Sequence, residues 1–303
     1  MPKTESPLDI ATALVGNKNY SGVRTMREER IDSHHHLWKY SSTDYPWISE
    51  GMESIRQDFL VPELAQTMQA ANIDGVVTVQ ARQSLTETDW LLDLAARHDV
   101  MRGVVGWVPL ADPAVASHLQ KYSDNPKLKA VRHVLQDEPD DFYMLREDFN
   151  RGVSQLEDVG LRYDILIFER HLPQTIEFVD RHPRQIFVLD HIAKPKIKSK
   201  ALSPWRERMK ELARRENVYC KLSGLVTEAD WKSWTKSDLR PFIDTALESF
   251  GPTRLMFGSD WPVSLLACAY DKWIEMVERS TSALSVSERD RLFGGTAKEA
   301  YRL

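Results

Sequence analysis

Cysteine is nearly absent from this chain. Cys220 and Cys268 are the only two among 303 residues, too few for a disulfide framework, so a reducing, cytoplasmic setting is expected. Long apolar runs are missing as well. No stretch approaches the ~20 residues of a membrane span, and Met1 to Ile10 lack the apolar core of a signal peptide, so no membrane partner is expected. The Asn19-Tyr20-Ser21 sequon is accordingly expected to stay unmodified. Nor does one sign of charge dominate: 45 acidic side chains stand against 40 basic ones, which gives no footprint for nucleic acid or an anionic bilayer.

Enough chain remains for one enzyme-sized domain, since a single α/β barrel typically uses ~250 residues. Residues 1–28 show little periodicity and read as an N-terminal extension or flexible tail, with Met26 an alternative start; residues 29–303 read as the domain. From Glu29 onward, short apolar segments alternate with helical patterns. Strands are expected near 30–36, 74–80, 101–107, 128–134, 163–168, 186–191, 217–222 and 254–259, and helices over 64–71, 88–97, 141–159, 173–182, 204–216, 238–250 and 265–279. Eight such units are the sequence form of a (β/α)8 TIM barrel, whose reactive groups sit at the C-terminal strand ends. The competing fold, an open doubly wound sheet, calls for a glycine-rich phosphate turn after its first strand, where this chain has histidines instead.

Those histidines carry the chemistry. In Ile31-Asp32-Ser33-His34-His35-His36-Leu37-Trp38, His34 and His36 share one face of a strand, whereas His35 faces the other way and reads as structural. Ile186-Phe187-Val188-Leu189-Asp190-His191 ends in an imidazole, and Arg254-Leu255-Met256-Phe257-Gly258-Ser259-Asp260 ends in a carboxylate. Taken singly, an H-x-H can be a solvated turn, His191 a satisfied buried histidine and Asp260 a helix cap. Three strand ends that offer His34, His36, His191 and Asp260 together suit a catalytic metal or a metal-free hydrolytic site.

Further residues are candidates for substrate contact. Arg132 on the fourth strand offers hydrogen bonds to a carbonyl or hydroxyl, against a reading as a barrel-end ion pair, and His133 should point the other way. Lys221 stands in an apolar strand and must either find a buried partner or face the mouth. Trp38, Trp107 and Trp261 offer flat faces to a sugar ring, against a reading as rim packing. Gln80 ends the second strand as a hydroxyl ligand, and Lys194 opens a basic loop, 194–200, otherwise read as solvated.

Several segments together resemble the sugar-lactonase branch of the amidohydrolase superfamily, whose members act on lactones of sugars such as L-fucose and L-rhamnose. The resemblance spans roughly 28–303 and is carried by the H-x-H segment, Val131-Arg132-His133-Val134-Leu135-Gln136, Leu189-Asp190-His191-Ile192-Ala193-Lys194-Pro195, Cys220-Lys221-Leu222-Ser223-Gly224-Leu225, Phe257-Gly258-Ser259-Asp260-Trp261-Pro262 and Phe293-Gly294-Gly295-Thr296-Ala297. It implies hydrolysis of a small-molecule sugar lactone, with Asp260 as general base. His34, His36 and His191 would either bind one divalent ion with Asp260, zinc being the expected one, or polarise the carbonyl directly with no metal. The fifth strand ends in Phe168-Glu169-Arg170-His171 with no candidate for a bridging lysine, so one ion per chain is the expected maximum. A decarboxylase or dicarboxylate-lactone hydrolase of the same superfamily should gather more arginines than Arg132 and Arg82. A non-catalytic barrel would not need both the H-x-H and Asp260.

Overall fold

The computed structural model describes residues 28–303, so the expected 1–28 extension, apart from Glu28, lies outside the described residues, as do Met26 and the Asn19 sequon. Eight parallel strands pair in chain order: β1 (Ile31–His35), β2 (Gly75–Val79), β3 (Met101–Gly106), β4 (Leu128–His133), β5 (Arg162–Ile165), β6 (Phe187–Leu189), β7 (Val218–Leu222) and β8 (Leu255–Phe257). A parallel bridge between His35 and Trp261 joins the last strand's tip to the first, closing a (β/α)8 barrel.

Eleven α-helices follow among the described residues. They are α1 (Val61–Ala71), α2 (Leu85–Arg97), α3 (Val115–Tyr122), α4 (Glu147–Val153), α5 (Leu172–Asp180), α6 (Trp205–Leu212), α7 (Leu225–Glu228), α8 (Lys236–Phe250), α9 (Tyr270–Ser280), α10 (Val286–Asp290) and α11 (Thr296–Tyr301). Every expected strand is present within a few residues. The helix expected over 141–159 is shorter: a 3-10 turn at Tyr143–Leu145 precedes α4, and Gly160 turns the chain with φ at +71°. Helix α3 buries Val115, Leu119 and Tyr122 at i, i+4 and i+7, an apolar stripe short enough to escape the sequence reading. Helices α10 and α11 after residue 279 also escaped it.

Two apolar layers hold the barrel. Outward-facing strand residues such as Val76, Val104, Val131, Leu189 and Phe257 pack against the helices, while Ile31, Val77, Val79, Val105, Ala130, Val188 and Met256 fill the inside together with Ala297, Ala300 and Tyr301 of α11. Helix α11 is held from the strand starts, where Arg162 Nε donates to Ala300 O at 2.7 Å and Lys129 Nζ to Arg302 O at 2.8 Å. The opposite end of the barrel stays open. There the strand tips surround a cavity of about 730 Å³.

Candidate active site

The register of β1 breaks between Asp32 and His35, and the chain then delivers His34 and His36 to the same side. Their Nε2 atoms lie 3.2 Å apart. His35 turns outward and bonds Thr78 Oγ1 at 2.8 Å. Asp32 anchors this segment to the tip of β8: its carboxylate accepts from Ser259 N at 2.8 Å, Tyr270 OH at 2.9 Å and His34 N at 3.1 Å. Burial raises the Asp32 carboxyl to about 6, with these donors opposing the rise.

Asp260 follows β8 with φ at +57°, and its amide donates to His34 O at 2.8 Å. The carboxylate Oδ1 stands 3.5 Å from His36 Nε2, 3.8 Å from His34 Nε2 and 3.9 Å from His191 Nε2. Burial pushes the Asp260 carboxyl up, but His191, His36 and Lys194 outweigh it and leave the group below the ordinary carboxylate range.

His191 comes from a strained turn. His191, Ile192, Ala193 and Lys194 all have positive φ, from +43° to +61°, a run that costs roughly 1–2 kcal/mol per non-glycine residue and persists only where packing enforces it. Trp205 Nε1 donates to Ile192 O at 2.8 Å, and His191 Nδ1 meets Ser223 Oγ at 2.9 Å. Gly224 makes room for this ring, because a Cβ there would lie 2.5 Å from His191 Nδ1. Gly258 does the same for His34, whose Cβ would be 2.9 Å from an added methyl.

Burial lowers the His191 imidazole to about 4 and drives His34 well below its ordinary range, so both rings are neutral at pH 7. The His36 ring donates through Nδ1 to Val79 O at 2.8 Å, which turns Nε2 toward His34 and Asp260. The ligand atoms of His34, His36 and Asp260 lie close enough together to hold one ion, as do those of His34, Asp190 and His191.

The structure separates the other sequence candidates. Arg132 and Lys194 line the cavity with His36, His191 and Asp260. Arg132 Nη1 donates to Asp190 Oδ2 at 2.9 Å and lies 3.5 Å from His34 Nε2, Nη2 donates to Gln80 O, and Nε is buried without a partner. Lys221 is fully buried beneath the cavity, bonded to Asp164, and does not reach its wall. Gln80 is buried as well and donates to Arg132 O at 3.3 Å. Trp38 packs among Tyr45, Trp47 and Phe59, and Trp261 stands edge to face with Phe59. Trp107 lies behind Thr88, whose Oγ1 accepts its backbone N–H. None of these three indoles lines the cavity; Trp38 and Trp261 are used in packing between barrel and shell, and Trp107 is half-buried outside that core.

The aromatic walls are Trp47 and Trp231, which sequence reasoning passed over because both lie in loops between the expected elements. Glu228 was also missed. It lines the cavity at the end of α7, where burial raises its carboxyl against the pull of Lys194. Arg82 lines the cavity too but is engaged by Asp44 and lies 3.9 Å from Glu87, while Arg132 is engaged by Asp190, so neither arginine is left for a second carboxylate.

Fold and site together define a barrel enzyme that gathers neutral imidazoles and one ionised carboxylate at the carboxyl ends of its strands. The chain belongs to the amidohydrolase family, whose profile matches residues 31–303. It is 45% identical over 285 residues to an L-fucono-1,5-lactonase of Burkholderia multivorans, covering 90% of this chain and 96% of that one. An L-fucono-1,5-lactonase of Burkholderia ambifaria is 35% identical over 281 residues, again covering 90% and 96%. Among solved structures, an amidohydrolase of Burkholderia multivorans with bound zinc is 46% identical, with a TM-score of 0.87 over 91% of this chain and 99% of that one.

Proposed function

We propose that this chain hydrolyses an aldonolactone, an L-fucono-1,5-lactone or a close relative, to its open hydroxy acid in the cytoplasm. The observation that carries this reading is the convergence of His36, His191 and Asp260 on one cavity, with His34 buried directly behind them, in a chain 45% identical to such a lactonase. The buried free thiols Cys220 and Cys268 suit a reducing compartment, and among the described residues no helix is long and apolar enough to cross a membrane.

Ring opening needs a water deprotonated, a carbonyl oxygen stabilised as it gains charge, and an alkoxide protonated as it leaves. Asp260 is ionised at neutral pH and lines the cavity, so it can take the water's proton. Arg132 lines the same wall, held by Asp190 and by Gln80 O, as a fixed positive charge that can stabilise the carbonyl oxygen. Lys194 and Glu228 stand at the same wall to meet ring hydroxyls, and Trp47 and Trp231 supply flat apolar faces.

The donor set also fits one divalent ion, which we read as zinc. A tetrahedral site with 2.0–2.1 Å bonds spaces its ligand atoms about 3.4 Å apart. The His34, His36 and Asp260 atoms are separated by 3.2, 3.5 and 3.8 Å, and His191 lies next to them. When bound, such an ion lowers the pKa of water and polarises the carbonyl. A second ion finds no ligands at β4 and β5, where the interior positions are Arg132 and an Asp164 already paired with Lys221. His171 is turned away onto Asp141 at 2.8 Å.

A pH-indicator assay of the purified chain against a panel of sugar lactones, with and without chelator, tests the reading. Acid release fastest with the fucono-lactone, falling on chelation and restored by one equivalent of zinc, is expected. Carbon dioxide release from an aromatic acid panel without lactone turnover would overturn it.

A further inference from the structure

Below the cavity the barrel holds a fully buried ionic cluster. Lys221 places Nζ 2.6 Å from Asp164 Oδ2, 3.0 Å from Asp190 Oδ1 and 3.1 Å from His34 Nδ1. Arg132 engages the other oxygen of Asp190 at 2.9 Å, so two cations meet two carboxylates. Apolar side chains of similar volume generally stabilise a core as well as a buried ion pair does, so packing alone gives no reason for the cluster. β2 and β3 fill the same interior with Val77, Val79 and Val105.

The cluster touches the reacting groups at one place, the Nδ1 edge of His34. Two partners compete there: Lys221 Nζ, hydrogen-bonded at 3.1 Å, and Asp190 Oδ1, which lies at 3.2 Å without hydrogen-bond geometry. They favour opposite tautomers. If Asp190 accepts Nδ1–H, Nε2 is a lone pair facing His36 and Asp260; if Lys221 donates to Nδ1, the proton sits on Nε2 instead. The ammonium is shared between Nδ1 and Asp164 Oδ2, and Asp164 is itself held from the far end of the barrel, where Tyr301 of α11 donates its hydroxyl to the same Oδ2 at 2.7 Å.

We infer that Tyr301, Asp164 and Lys221 are positioning residues, a hydrogen-bonded strut from the C-terminal helix through the barrel that fixes the ammonium against His34 Nδ1 and, with it, the tautomer and tilt of that ring. The inference rests on the reading of His34 as part of the reacting set. It assigns α11 a role in activity although the helix lies at the opposite end of the barrel from the substrate cavity. Partners behind a metal-binding histidine typically carry about 10- to 100-fold in ion affinity or activity. Tyr301 is two residues further back, and the lower end of that range is expected for it.

The test uses the full chain carrying Tyr301→Phe, with Asp164→Asn as a second variant and Ala300→Gly as a control that weakens the same helix without touching the hydroxyl. Three readouts are taken: affinity of the metal-free chain for zinc by competition with a chromophoric chelator, the ring-nitrogen resonances of His34, and kcat with KM on the best lactone. Tyr301→Phe and Asp164→Asn should weaken zinc binding about tenfold, change the tautomer balance read from the His34 resonances, and lower kcat with KM within twofold. Ala300→Gly should lower the melting temperature and leave the three readouts unchanged. Zinc affinity and kcat within twofold of wild type in Tyr301→Phe, or the same losses in Ala300→Gly, would overturn the inference. Zinc affinity and the nitrogen resonances are read without substrate, so a mistaken lactone would show as missing turnover in the wild type and leave them intact.

Discussion

The inside of the barrel has two unlike halves. Strands β2 and β3 fill it with Val77, Val79 and Val105, whereas β4 to β7 send in Arg132, Asp164, Asp190 and Lys221, the third at the very end of its strand. All of these side chains are buried to the same degree, so depth does not distinguish them. The difference lies in what they impose. Aliphatic packing is non-directional and tolerates exchange, while each buried charge fixes the angle and distance of its partner and, through Asp190 and Lys221, the ring of His34. The valine side thus serves as support and the ionic side as a template for the imidazoles above it.

The largest effect should come from unpairing the template. Lys221→Met leaves Asp164 and Asp190 short of a buried cation and should cost about 3–5 kcal/mol in urea unfolding, and adding Asp164→Leu should recover much of that. A single variant as stable as wild type would erase the distinction between the halves.

Next comes the carboxylate at the mouth. Asp260→Asn keeps its size but loses the basic oxygen, so kcat should drop by about 100-fold or more with the fold retained. Near-normal turnover in this variant, with His191→Asn inactive, would transfer water activation to a histidine or an ion.

Glu87 extends the comparison to the loop above the valines. Its carboxylate accepts from Ala81 N at 2.9 Å, Arg82 N at 3.0 Å and Tyr45 OH at 3.2 Å, and burial raises it from 4.5 to about 7. A folded-state pKa above the unfolded one means a contribution fully present below about pH 4.5 and lost as pH rises through about 7. The stability advantage of wild type over Glu87→Gln should therefore shrink across that window, by on the order of 3 kcal/mol. A gap independent of pH would mean that Glu87 is ionised throughout.

The smallest effect belongs to the valine half. Val105→Ala should cost about 2 kcal/mol through lost burial and a small cavity. kcat per folded molecule should stay within twofold; a larger loss would show that the supporting side also orients the site.

Local chemistry is enough to explain what could be read along the chain. Apolar runs of strand length separated by helical periods specify eight units, and side-chain alternation puts His34 and His36 on one face with His35 on the other. Lys221 was readable as a problem, a charge in an apolar strand, whereas Asp164 between Tyr163 and Ile165 was passed over. Their pairing was not readable, because Lys221 finds Asp164 across 57 residues and Asp164 finds Tyr301 across 137. The tryptophans show the same limit. A large indole at a strand end is equally suited to packing and to a sugar face, and only the way the shell folds over the barrel sends Trp38 and Trp261 into packing and leaves Trp47 and Trp231 on the cavity. Periodicity is a property of neighbours in the chain, whereas pairing of buried charges and the lining of a cavity depend on which distant segments meet when the sheet closes on itself.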